Sequence, residues 1–187
     1  METYPVTVSI WRTVYHIPRN YIVNLFDQLC VLKITFSDFE PLTDKTRSCL
    51  NSPPFDTPAG CAYFEFKLHG GKGPDGLADT HARIFRSLME DAKLAAPPYS
   101  EIISGEKYIF YDIGPPTARL EIIRNISKDM LFTCQIWGDP DKVLCDGTVF
   151  LDDGNAVQFV FEKRQIAELP KIEDGLRSKM ESFRAPQ

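Results

Sequence analysis

The chain lacks the patterns that most often reveal a protein's chemistry. No apolar run approaches the roughly 18 residues a membrane helix needs. No G-x-S-x-G elbow occurs, so the strained turn that exposes a hydrolase serine is missing. No C-x-x-C occurs, which removes the usual thiol-oxidoreductase motif. Histidine is scarce: His16, His69 and His81 are the three in the chain. None stands at ligand spacing from another histidine or a cysteine, so no metal site is expected. Gly70-Gly71-Lys72-Gly73-Pro74-Asp75-Gly76 has the wrong order for a phosphate loop. Its lysine lies among the glycines, and Asp75 would repel a phosphate at the start of the next helix. No cofactor and no catalytic residue is therefore assigned. Positive charge is also in deficit. Lys plus Arg number 21 against 26 Asp plus Glu, a net charge of −5. That balance disfavours nucleic acid and anionic membranes and is compatible with a basic protein partner; mild acidity also serves simple solubility.

What the chain has is cysteine, five in 187 residues. Four of them bracket two turn-rich segments. Cys134 and Cys145 flank Gln-Ile-Trp-Gly-Asp-Pro-Asp-Lys-Val-Leu, and their midpoint falls between Asp139 and Pro140, the centre of the turn signal. A hairpin closing there sets the two cysteines opposite each other, at the short Cβ separation a disulfide requires. Cys49 and Cys61 flank Leu-Asn-Ser-Pro-Pro-Phe-Asp-Thr-Pro-Ala-Gly inside a long irregular loop over 38–60. A loop of that length needs tying down, and a Cys49–Cys61 bridge would do it. Each bridge closes about 12 residues, worth roughly 3 kcal/mol in the chain-entropy model. The alternative at all four positions is a buried thiol. Cys30 is left over, as an unpaired core thiol.

Two disulfides imply an oxidising compartment. Residues 1–17 do not read as an export signal. Thr7, Ser9, Arg12 and Thr13 interrupt the apolar run, and no basic region precedes it. Periplasmic export then requires a leader, or a lipid anchor, ahead of Met1 that has been removed. Asn125-Ile126-Ser127 has the form of a glycosylation sequon.

The pattern predicts an α+β fold of antiparallel meanders. Val6, Val8 and Ile10 alternate with polar residues in one strand over 5–17. Leu32, Ile34 and Phe36 mark a second strand, and Phe64, Phe66 and Leu68 a third. A helix over 77–93 carries Leu77, Ile84, Phe85, Leu88, Met89 and Ala92, and Pro97-Pro98 follows it. Strands are predicted near 106–113, 118–125, 129–137, 144–151 and 156–163, joined by short turns. A last helix after Pro170 has its buried stripe at Ile172, Leu176, Lys179/Met180 and Phe183. The whole is one domain, or two lobes, 1–95 and 96–187, the second a meander with a C-terminal helix packed on the sheet.

The remaining candidates lie on the surface. Asp139 and Asp141 sit at one hairpin tip, Asp152 and Asp153 in the next turn at the opposite end of the sheet. Loops on a rigid sheet are natural docking elements, and acidic tips steer toward a basic partner. Turns also favour Asp for backbone reasons alone. Glu162, Glu168, Glu173 and Asp174 gather near the last helix, where solvated charge is the ordinary explanation.

Several stretches carry a family resemblance. They are Phe132-Thr133-Cys134, Cys145 with Val149-Phe150-Leu151, Val157-Gln158-Phe159-Val160-Phe161, and Leu169 with a helix ending Glu181-Ser182-Phe183-Arg184. Ile17-Pro18-Arg19-Asn20-Tyr21-Ile22 and Phe39-Glu40-Pro41-Leu42-Thr43 add to them. Together they resemble small exported proteins of Gram-negative bacteria encoded near type VI secretion systems. Those are similar to immunity proteins that protect a cell from phospholipase effectors in the periplasm. The resemblance covers about half the chain in patches, and its motifs are structural. Where the family carries a tryptophan after the leucine that follows the last strand, this chain has Pro170-Lys171. The resemblance implies a binding protein rather than an enzyme, with a secreted effector as partner, inhibited by occlusion. An effector adaptor or chaperone is the alternative, and a small-ligand carrier or uncharacterised enzyme a third.

Overall fold

Alternation of apolar and polar residues builds nearly everything in the computed structural model. It describes residues 4–27, 29–35, 39–41, 63–70, 83, 85–90, 94, 96–114, 119–125, 127–128, 130–136 and 143–186. Strands β1 (Pro5–Ile10) and β2 (Thr13–Pro18) form a hairpin of their own. The other nine strands are β3 (Ile22–Phe26), β4 (Leu29–Thr35), β5 (Tyr63–His69), β6 (Tyr99–Ile103), β7 (Glu106–Ile113), β8 (Arg119–Asn125), β9 (Met130–Ile136), β10 (Leu144–Phe150) and β11 (Ala156–Glu162). They make one sheet in the order β3-β4-β5-β11-β10-β9-β8-β7-β6. Every pairing in it is antiparallel.

The order follows from two meanders. β3 to β5 run one way from an edge. β6 to β11 start at the far edge and fold back until β11 meets β5, with Phe159 opposite Phe66 and Val157 opposite Leu68. Both chain segments thus contribute to one sheet. The connection from β5 to β6 must cross most of it. Helical residues 83 and 85–90 lie on that path. Phe85 packs edge-on to Tyr111 at 4.9 Å, and the Arg124 guanidinium sits 4.6 Å from the Phe85 centroid. The described helix is short, about two turns; the rest of the expected 77–93 lies outside the described residues.

The period-2 rule assigns the core. Leu32, Phe66, Phe159, Phe132, Ile123 and Phe110 lie in register on one face, and all are buried. Gly147 belongs to this face because the Phe132 ring occupies the space its Cβ would need. The C-terminal helix (Leu169–Phe183) covers the face with Leu169, Ile172, Leu176, Met180 and Phe183. Its predicted stripe is therefore met, and Pro170 fits at the helix start, where its missing N–H has no bond to lose. The hairpin adds Val8, Ile10, Tyr15 and Ile17 to the same core.

Cys134 and Cys145 stand opposite each other in the β9–β10 register and are disulfide-bonded, with Cα atoms 4.0 Å apart. The hairpin-midpoint expectation is met. Cys49 and Cys61 lie outside the described residues, as do Asp139 and Asp141. Cys30 is a buried free thiol, and burial pushes its pKa up to about 11. It stays protonated and unreactive at neutral pH.

Three strands depart from the sequence expectation. Residues 5–18 form two strands, because the chain reverses at Trp11-Arg12 with no Gly, Asn or Pro to announce it. β3 follows Pro18 and a single 3-10 turn at Arg19–Tyr21, where the sequence reads only a strand ending. β6 is an edge strand whose Tyr99-Ser100-Glu101-Ile102-Ile103 does not alternate cleanly. Its turn is Ser104-Gly105, both at positive φ (50° and 86°), as a type I′ hairpin loop requires.

Candidate functional site

At one end of the sheet the β1–β2 hairpin, the β10–β11 turn and the C-terminal helix converge. A cleft of about 290 Å³ opens between them, lined by Tyr15, Asp152, Asp153, Arg177, Glu181 and Arg184 among others. The turn Asp152-Asp153-Gly154-Asn155 forms because Gly154 takes φ +84° and the Asp153 carboxylate accepts from the Asn155 backbone N–H at 2.9 Å. That Asx arrangement fixes the turn locally.

The two aspartates then part company. Asp153 points inward, where Tyr15 Oη donates to its Oδ2 and Asn155 Nδ2 donates to the same atom at 3.1 Å. Asn155 Nδ2 also lies 3.0 Å from Tyr15 Oη and 3.4 Å from the Ile10 carbonyl. Burial works against the Asp153 charge, but the bonds from Tyr15, Asn155 and Thr13 outweigh it and lower its pKa. Burial first, and the bond to Asp153 second, raise the Tyr15 pKa well above the ordinary phenol value. Tyr15 is therefore a fixed donor and not a base. Asp152 is 97 % exposed on its side chain, 3.9 Å from Arg177 Nη1. Of the two predicted docking carboxylates in this turn, it is Asp152 that faces outward.

Arginine closes the floor of the cleft. Arg177 donates from Nε to Glu173 at 3.0 Å and from Nη1 to the Phe150 carbonyl. Arg184 lies at the helix end, 3.5 Å from Glu181 and bridged to Tyr15. Ala185 N–H donates to the Val14 carbonyl at 2.9 Å. The helix is thus tied to both edges of the cleft.

Glu173 is only 2 % exposed on its side chain and also meets Lys128 Nζ at 3.0 Å; Lys128 bonds Glu106 at 2.8 Å and approaches Asp174 at 3.5 Å. Burial opposes the Lys128 charge, yet Glu106, Glu173 and Asp174 raise its pKa. Asn125 is fully buried in this network, donating to Glu106 at 2.6 Å and accepting from Ser127 at 2.7 Å. Its amide is therefore closed to glycosylation in the folded chain.

The other carboxylates near the last helix do not converge. Glu162 caps the 3-10 turn before the helix through Gln165 and pairs with Arg164, and Glu168 lies 3.8 Å from Lys171. His16 bonds Thr7 at 3.2 Å and His69 approaches the Gly70 carbonyl at 3.4 Å. Neither faces the cleft. His81 and residues 71–76 of the glycine stretch lie outside the described residues. Among the described residues no three His, Cys, Asp or Glu side chains are placed to hold a metal ion. No helix among them is long and apolar enough to cross a membrane.

Sequence reasoning missed Tyr15, Asn155, Arg177 and Arg184. The Tyr15–Asp153 and Tyr15–Asn155 contacts join positions 138 and 140 residues apart. Polar clamping of one rigid end of a sheet, with charged groups left at its mouth, is an arrangement suited to binding.

No family model matches the chain, and no curated protein sequence matches it. The fold, however, is that of a small bacterial protein already solved. The structure is Smlt3025, an immunity protein of the Stenotrophomonas maltophilia type IV secretion system. It superposes with a TM-score of 0.66 over 98 % of this chain and 94 % of its own, at 13 % identity. At that identity the likeness establishes the fold.

Proposed function

We propose that this chain is an immunity protein. It binds a secreted effector through its surface and occludes it, with no chemistry of its own. The observation that supports this most is the fold likeness to an immunity protein along nearly the whole of both chains. The site agrees with it in kind: the cleft groups are held in internal bonds, which leaves a preformed surface rather than a reacting pair. Preorganisation favours tight binding, which a toxin neutraliser needs. The exposed carboxylates Asp152 and Glu181 at the cleft meet basic groups of the effector. Asp153 supports them from inside. Asp139 and Asp141, in the turn expected at the opposite end of the sheet, would offer a second acidic contact.

The finer reading is a phospholipase effector acting in the periplasm, which suits a disulfide-bonded protein. The patchwise sequence resemblance favours a type VI system; the structural neighbour serves a type IV system. Both readings share the binding step. The test is to purify the effector encoded beside this chain's gene and assay lipid hydrolysis with and without this protein. A one-to-one complex with activity lost is expected. A complex that leaves hydrolysis intact makes the chain an adaptor, and no complex at all removes the proposal.

A further inference from the structure

Trp11 stands where a hairpin normally takes glycine. Ile10 and Thr13 are the last paired residues of β1 and β2, so Trp11 and Arg12 alone form the loop. Trp11 has φ +54°. In that region Cβ crowds the following carbonyl, which is why two-residue loops favour Gly, Asn and Asp. A bulky ring there is an outlier. Such strain survives only where the surroundings impose it, and it gathers at ligand clamps and switch regions.

The surroundings here do impose it. Both residues flanking the loop are pinned by the β10–β11 turn: the Ile10 carbonyl by Asn155, and the Thr13 hydroxyl by Asp153. The ring held this way is 47 % exposed. The Arg12 guanidinium lies 5.3 Å from its centroid. Among the described residues no carboxylate pairs with Arg12.

We propose that the Trp11-Arg12 tip is the anchor by which this chain enters its partner. Trp11 fills an apolar pocket on the effector, and Arg12 pairs with a carboxylate on that pocket's rim. The assignment rests on the immunity reading. Trp and Arg are the residues most enriched among binding hot spots. A tip already held in shape loses little freedom on docking. The charges around it favour a protein over a lipid surface. The exposed Asp152 lies on the turn that pins the tip, and the net charge of −5 would oppose an anionic bilayer.

Glycine at position 11 separates binding from folding, because it removes the ring and the strain together. Calorimetric titration of the purified neighbouring effector with wild type, Trp11→Gly and Arg12→Glu is the test, alongside thermal melting of each. Trp11→Gly is expected to bind about 30-fold more weakly or worse, the scale of a hot spot. It should melt at the same or a higher temperature. Arg12→Glu is expected to weaken binding through faster dissociation, because it sets a carboxylate against the carboxylate on the pocket rim. Equal affinity of Trp11→Gly and wild type overturns the assignment while leaving the immunity reading intact. A wild type that does not bind the effector overturns both. A Trp11→Gly protein that melts earlier makes the ring a packing element and overturns the assignment too. So does wild-type binding to phosphatidylglycerol vesicles that Trp11→Gly abolishes, which would make the tip a membrane contact.

Discussion

Phe39 and Trp11 share an unusual backbone and differ in what surrounds the ring. Both are bulky aromatics in the left-handed region, at φ +59° and +54°. Each carries a strain of about 1–3 kcal/mol. Phe39 is 8 % exposed, and its ring lies over Gly175 of the C-terminal helix, in the space a Cβ there would fill. The residues beside it join in. Thr35 N–H donates to the Glu40 carbonyl at 2.8 Å, and the Glu40 carboxylate accepts from Tyr21 at 2.7 Å and Lys179 at 2.9 Å. At Phe39 the strain is offset inside the molecule, by burial and by fixing the helix on the sheet. At Trp11 the loop is anchored just as firmly, but half of the ring faces out. The same local distortion thus serves folding in one place and leaves a presented side chain in the other.

Substitution sharpens the contrast. Phe39→Ala should cost about 3 kcal/mol, near the lower end for a buried aromatic. Phe39→Gly should fare no better, although it relieves the backbone, because the lost packing exceeds the relieved strain. Glycine at position 11 has the opposite expected sign. Urea denaturation of the two glycine variants side by side checks this, and a loss at both positions would erase the distinction. Gly175→Ala probes the Phe39 site from the helix side. Alanine suits a helix better than glycine by about 1 kcal/mol. The added methyl nevertheless meets the Phe39 ring, so the net change should be a loss of about 2 kcal/mol. A stabilised Gly175→Ala protein would mean that the ring can move aside freely.

The same two places show what could be read from the sequence. Strands β7 to β11 were legible because apolar residues alternate and each turn between them carries Gly, Pro, Asn or Asp. The Cys134–Cys145 bridge was legible because its midpoint coincided with such a turn. The helix stripe Ile172, Leu176, Met180 and Phe183 followed from helical spacing. β2, β3 and β6 were hidden for a common reason, since each begins or ends at a reversal without a strong turn residue or on an edge without clean alternation. At Trp11 the turn is imposed from outside, by Asn155 and Asp153. The site was half legible. A carboxylate-bearing turn at 152–155 was visible, but which aspartate faces solvent depends on Tyr15, which no local pattern connects to it. Gly175 likewise reads as a weak helix position until Phe39 is placed against it.

The smallest effect concerns the anchor beneath Trp11. Tyr15→Phe removes one hydroxyl that donates to Asp153, and with it a bond to Asn155. A bond to a charged acceptor is worth about 1.5–3 kcal/mol; the half-exposed carboxylate reduces this to about 1–2. The pH dependence has a definite sign. The Asp153 pKa is lowered in the folded chain from an ordinary value of 3.8. Such a group stabilises the fold above its unfolded pKa, and the contribution is lost as pH falls through the lower, folded value. Tyr15→Phe should therefore be most damaging at neutral pH, and the gap from wild type should narrow once pH drops below about 3.8. Urea midpoints of both proteins at pH 7 and pH 3 measure it. A gap that stays constant would place the hydroxyl's value in its bond to Asn155, with the Asp153 charge contributing nothing. The tip of the hairpin would then be pinned to the β10–β11 turn through Asn155, and Asn155→Ala should loosen the Trp11 tip more than Tyr15→Phe does.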